Sequence, residues 1–136
     1  MEKRRDIVRR IAGAITALAS LAAIACELPP GARVESGRVA ISYWTVPAKI
    51  AVGQPFVLEL AACAKPVDGK IRPLSDRVRM DAHMPEHRHG MNYRAKVVPM
   101  GAGRFLSEGW LFHMPGRWEF LFDIDTERLT HSVRVE

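Results

Sequence analysis

From Arg38 onward the chain alternates apolar and polar residues over short runs, and turn residues end each run before a helical period can build. Val39, Ile41 and Tyr43 share one parity in the run 38–46, as do Phe56, Leu58 and Leu60 in the run 56–62. Over 77–84, Val78, Met80, Ala82 and Met84 fall on one side and Arg77, Arg79, Asp81 and His83 on the other. Runs at 92–99 and 104–112 follow, then 118–124 with Trp118, Phe120, Phe122 and Ile124 in phase, and a last run over 129–135. Pro47, Gly53-Gln54-Pro55, Pro66-Val67-Asp68-Gly69, Gly101, Gly103 and Pro115-Gly116 punctuate them. This spacing predicts an all-β domain of about seven strands, an immunoglobulin-like β-sandwich, with a small barrel as the second architecture that would suit it.

The first 25 residues follow another pattern. Met1 to Arg10 hold five basic residues (Lys3, Arg4, Arg5, Arg9 and Arg10) against Glu2 and Asp6, and an uncharged apolar run extends from Ile11 to Ala25. Basic start, apolar middle and small residues at the end make a signal peptide. The run is shorter than the roughly 20 residues a spanning helix needs, which favours cleavage over a permanent membrane anchor. The reading is therefore a helical signal peptide or anchor over 1–25. Ala23-Ile24-Ala25 suits ordinary cleavage, whereas Ala22-Ala23-Ile24-Ala25-Cys26 resembles a bacterial lipobox, which would make Cys26 the acylated first residue of the mature protein. Residues 26–37 contain Pro29, Pro30 and Gly31 without apolar period and read as a linker, with the domain proper over 38–136. The expected location is the periplasm, free or lipid-anchored to a membrane.

Removing the leader changes what the charge means. The chain carries a formal +5, of which the leader supplies three, so 15 basic face 13 acidic residues beyond it. Such a balance gives no ground for a nucleic-acid partner. Cys26 and Cys63 are the two cysteines. They would pair in an oxidising compartment; if Cys26 is acylated instead, Cys63 becomes an isolated buried thiol at a strand end, the preferred reading.

Soft ligands are unevenly spread. Met80, Met84, Met91, Met100 and Met114, with four of the five histidines, lie between positions 80 and 114. His83, Met84, His87, His89 and Met91 are packed into nine residues, and His113 and Met114 form a second group. If extended, His87, His89 and Met91 share one side of the backbone. Strand parity puts the connection after the third strand and the one after the fifth at the same end, together with the turn 47–55, so both groups would meet there. Imidazole suits copper, zinc or nickel and a thioether selects Cu(I), so copper is the expected ion. Met80 and Met84 lie on the apolar face, where core packing is their ordinary use.

Gly53-Gln54-Pro55-Phe56, Met84-Pro85-Glu86-His87-Arg88-His89-Gly90-Met91 and Met114-Pro115-Gly116-Arg117-Trp118 together resemble the YtkA-like domain, related to FixH-like proteins, over about residues 38–136. The resemblance implies an exported immunoglobulin-like domain and, by analogy with FixH-like proteins, a copper role. Arg88 stands where that motif usually has glycine between its two histidines.

No Ser–His–Asp set, Cys–His pair or phosphate-cradling glycine loop marks an enzyme. Two functions are then expected: a copper carrier that exchanges its ion with a protein partner, or a non-catalytic interaction module without metal.

Overall fold

The computed structural model describes residues 26–136; the leader helix expected over 1–25 lies outside them. The described residues are all strand, turn and loop, with no helix. Two antiparallel sheets face each other as a β-sandwich. One has the order β1 (Ala32–Glu35), β2 (Val39–Val46), β3 (Pro55–Ala64), β7 (Arg104–Leu111), β6 (Lys96–Gly101). The other has the order β5 (His89–Gly90), β4 (Val78–Met84), β8 (Gly116–Ile124), β9 (Glu127–Val135).

The alternation read in the sequence is the alternation that packs. Val39, Ile41 and Tyr43, Phe56, Leu58 and Leu60, the apolar side of β4, and Trp118 through Ile124 all turn inward and are buried. Aromatic rings dominate the core: Trp110 lies edge-on to Phe120 at 5.3 Å, and Phe56 meets Phe112 at 5.1 Å. The buried Trp110 Nε1–H donates to Ser107 Oγ at 2.9 Å, so a polar serine belongs in this interior. Tyr43 is treated likewise: its hydroxyl sits 2.6 Å from His131 Nδ1, and burial raises the phenol's pKa above its ordinary value.

Three expectations need correction. Residues 32–35 of the expected linker form β1, in register with β2 through Ala32↔Tyr43 and Val34↔Ile41, and both apolar side chains pack on the core. Residues 26–31 are likewise no free tether. Ser42 Oγ donates to the Pro29 carbonyl at 2.6 Å, and a Cβ on Gly31 would stand 2.6 Å from the Tyr43 carbonyl oxygen, so this segment lies hard against β2. It accounts for the burial of Ala40, Ser42, Ala61 and Cys63, which have the outward parity of β2 and β3 and would otherwise face water.

Third, Cys63 is no isolated thiol. It is bonded to Cys26, with 5.7 Å between their Cα atoms, and pins the strap to β3. The acylated cysteine expected from the lipobox would need the Cys26 sulfur that this bond uses.

Candidate metal centre

Three connections meet at one end of the sandwich, as strand parity requires. The β2–β3 connection touches the one between β7 and β8 through a Gly53 N–H donating to the Phe112 carbonyl at 2.8 Å. The β4–β5 turn comes to the same place because the end of β4 lies beside the start of β8, with His83 opposite Glu119.

That turn is built tightly. The His87 N–H donates to the Met84 carbonyl at 3.1 Å, and Arg88 takes φ = 54°. His87, Arg88 and His89 are therefore not an extended run; the left-handed residue between the histidines folds them toward each other. Glycine would enter that region without the roughly 1–2 kcal/mol a side chain incurs. Arg88→Gly is accordingly expected to raise metal-free stability by up to about 1 kcal/mol, part of the gain being offset by the freer unfolded chain. Chemical denaturation checks this, and a fall in midpoint would show that Arg88's own contacts outweigh the backbone strain.

β5 then places His89 opposite Met84 and Gly90 opposite His83. Residues directly opposite in an antiparallel pair project from the same face. Since Met84 is fully buried, His89 turns inward over the sandwich end, while His83 turns outward.

The result is a row of imidazoles. His87 and His89 have ring centroids 5.7 Å apart, and His89 and His113 are 5.2 Å apart with planes inclined by 34°. Trp118 walls the row from below, its ring 6.0 Å from His89 and 5.5 Å from His113, at 71° and 78° to them. Phe112 stacks on the indole at 4.3 Å, and Trp118 Nε1–H donates to the Met114 carbonyl at 3.0 Å, which fixes the loop bearing His113.

Two nitrogens in the row stand out. His89 Nδ1 lies 3.1 Å from the Gly90 carbonyl, so the tautomer that donates there leaves Nε2 as the lone-pair nitrogen. His113 Nδ1 is buried and has no hydrogen-bond partner. An unpartnered buried acceptor costs about 1–3 kcal/mol, and such a group in a native structure calls for an explanation.

The other candidates divide. His83 bonds Glu119 at 3.0 Å on the outer face, away from the inward row. Met84 shares the inward face with His89, and its Cε would stand 2.9 Å from a Cβ on Gly116, so its thioether is tucked under the start of β8. Met114 is half-buried against the core. Met91 packs on the core and lines a groove of about 640 Å³ beside Val78, Met80 and Tyr93; the shared side expected for His87, His89 and Met91 does not arise, because the segment is a turn and a two-residue strand. His131, the fifth histidine, is occupied with Tyr43. The walls of the site, Phe112 and Trp118, were legible only as core residues.

Among the described residues, no group of three or more His, Cys, Asp or Glu is arranged to hold a metal ion. The imidazoles form a row rather than a cage, and the nearby Glu86 carboxylate is turned to Arg117 at 3.0 Å. A tetrahedral zinc site, which needs four N, S or O donors, does not fit. Imidazole and thioether are the donor types that a soft ion prefers.

No family model, curated protein or solved structure matches this chain.

Proposed function

We propose that the protein is an exported copper-binding protein that takes up Cu(I) at the loop end of its sandwich and passes it to a protein partner. The orphaned His113 Nδ1, buried beside His89 where two connections meet, is the observation that carries this reading. His89 and His113 would hold the ion, with Met84 as the soft third donor and His87, exposed at the outer end of the row, as the residue met on entry. Cu(I) is the cargo here.

Export is supported by the basic and apolar leader and by the Cys26–Cys63 disulfide, a bond suited to an oxidising compartment. The immunoglobulin-like assignment is supported by connectivity: β2, β3, β7 and β6 form one sheet and β4, β8 and β9 the other, the arrangement of a seven-strand constant-type domain. The resemblance to YtkA-like and FixH-like proteins points the same way.

The test is a Cu(I) titration of the full-length protein against a competing chelator. One ion per chain is expected, with uptake lost in the His87→Ala/His89→Ala double variant. Unchanged stoichiometry in that variant would sink the site assignment.

The second reading, a metal-free interaction module, has one observation in its favour. Beyond its pairing with β5 at His83 and Met84, the outer edge of β4 from Val78 to Ala82 has no strand beside it among the described residues. An open edge is a place where another chain can add a strand. A protein that takes up no copper yet retains a partner through β4 would establish that reading.

A further inference from the structure

We infer that the open edge of β4 pairs with the same edge of a second copy of this chain, joining two molecules about a two-fold axis at Met80. The inference stands apart from the copper reading and needs no metal.

The backbone along this edge lacks a strand. After Gly90 the chain leaves β4, and the segment bearing Met91, Tyr93 and Arg94 faces it across the groove of about 640 Å³. The Ala82 N–H donates at 2.8 Å to the carboxylate of its own neighbour Asp81, and a Cβ on Gly90 would stand 3.4 Å from the Ala82 carbonyl oxygen. Ala82 therefore turns its backbone groups to the open side. Alternate residues of a strand point their N–H and C=O the same way, which puts those of Val78 and Met80 there too. The edges elsewhere are blunted: β6 carries Pro99 and a register shift, and β1 has four residues. β9 is long, but self-pairing about its middle residue His131 would set Arg128 against Arg134.

The charge pattern selects a second copy as the occupant. Arg79 and Asp81 flank Met80 on the outward side of β4, and both are exposed. Neither has an ion-pair partner among the described residues. Arg79 lies opposite Asp123, but that carboxylate is held by Arg128 at 2.6 and 2.8 Å. Antiparallel pairing of two β4 strands centred on Met80 places Arg79 of each copy opposite Asp81 of the other, so one symmetric contact makes two opposite-charge pairs. The same register sets Val78 opposite Ala82 and lets Val78, Met80 and Ala82 exchange N–H···O=C bonds. The charged pairs then occupy the closer, non-hydrogen-bonded positions. Moving the centre by one residue, the nearest register that keeps those bonds, brings Arg79 onto Arg79 or Asp81 onto Asp81.

The experiment is sedimentation equilibrium of the full chain from about 10 μM to about 1 mM, a range suited to a small, weak interface. The mass of wild type should rise from one chain toward two. Arg79→Asp and Asp81→Arg should each stay monomeric, because each sets like charges opposite one another across the two-fold axis. An equimolar mixture of the two variants should dimerise again, since one then presents two acids and the other two bases. Both side chains are exposed, and melting curves of the variants report separately on the fold. Wild type that stays monomeric at about 1 mM overturns the inference and leaves the edge to a strand of another protein. Association that survives in both single variants, or a mixture that does not associate, also overturns it. Chelator in every sample removes any bound metal, so failure here leaves the copper reading untouched.

Discussion

With Cys63 replaced by alanine, the protein is expected to unfold about 3–4 kcal/mol more readily than the oxidised wild type, the chain-entropy value for a loop closed over 37 residues. For a domain of this size that corresponds to a melting point lower by roughly 15 °C or more. The bond does more than close a loop. It holds residues 26–31 against the outward side of β2 and β3, where Ala40, Ser42 and Ala61 are small and buried because the strap covers them. Releasing the strap opens that face to water and leaves the Ser42–Pro29 hydrogen bond as a tie between strap and sheet. Wild type in reductant should therefore melt with Cys63→Ala, and reductant should not move the variant. Wild type that melts identically with and without reductant would show an unpaired Cys26, whose sulfur would then be free for the acyl chain that the lipobox predicts. Intact mass of the exported protein separates these two fates.

The strap also shows where the sequence stopped being readable. β2, β4, β7 and β8 match the runs read from apolar parity to within two residues, most cleanly in β4, where buried and exposed residues alternate. β3 runs on to Ala64 although parity ends at Ala62, since its outward Ala61 and Cys63 are covered and period two no longer sorts them. β1 was hidden by brevity: four residues between Pro29-Pro30-Gly31 and Gly37, with Ala32 and Val34 as its whole apolar content. β5, two residues long, cannot express a period at all. Parity did bring His87, His89 and His113 to one end, because it depends only on strand direction. It could not assign Met91, whose side is set by a turn in which Arg88 adopts a left-handed conformation. Nor could it single out Trp118 from the other inward aromatics, because its position beneath two imidazoles depends on how the β7–β8 connection folds across the sandwich end.

The opposite response of two histidines to one substitution should show which of them is built for a ligand. His113→Phe is expected to raise metal-free stability by about 1 kcal/mol, because it removes a buried nitrogen that has no partner and leaves a ring of similar shape beside Trp118. His131→Phe is expected to lower it by about 1–3 kcal/mol, because Tyr43 is buried and its hydroxyl would lose the nitrogen 2.6 Å away. Cu(I) should reverse the order of wild type and His113→Phe. Binding to the folded state stabilises wild type in proportion to the logarithm of free ion over Kd, about 2.7 kcal/mol at a hundredfold excess over Kd. His131→Phe retains that increment and His113→Phe loses it. Denaturant unfolding of the three proteins, with and without buffered Cu(I), measures all of these quantities. A His113→Phe protein that is less stable without metal would mean that Nδ1 has a partner, such as a bound water, and the strongest sign of an ion site would be gone. A variant that is more stable yet no longer responds to Cu(I) would identify His113 as a residue kept at a cost to folding for the ion it holds.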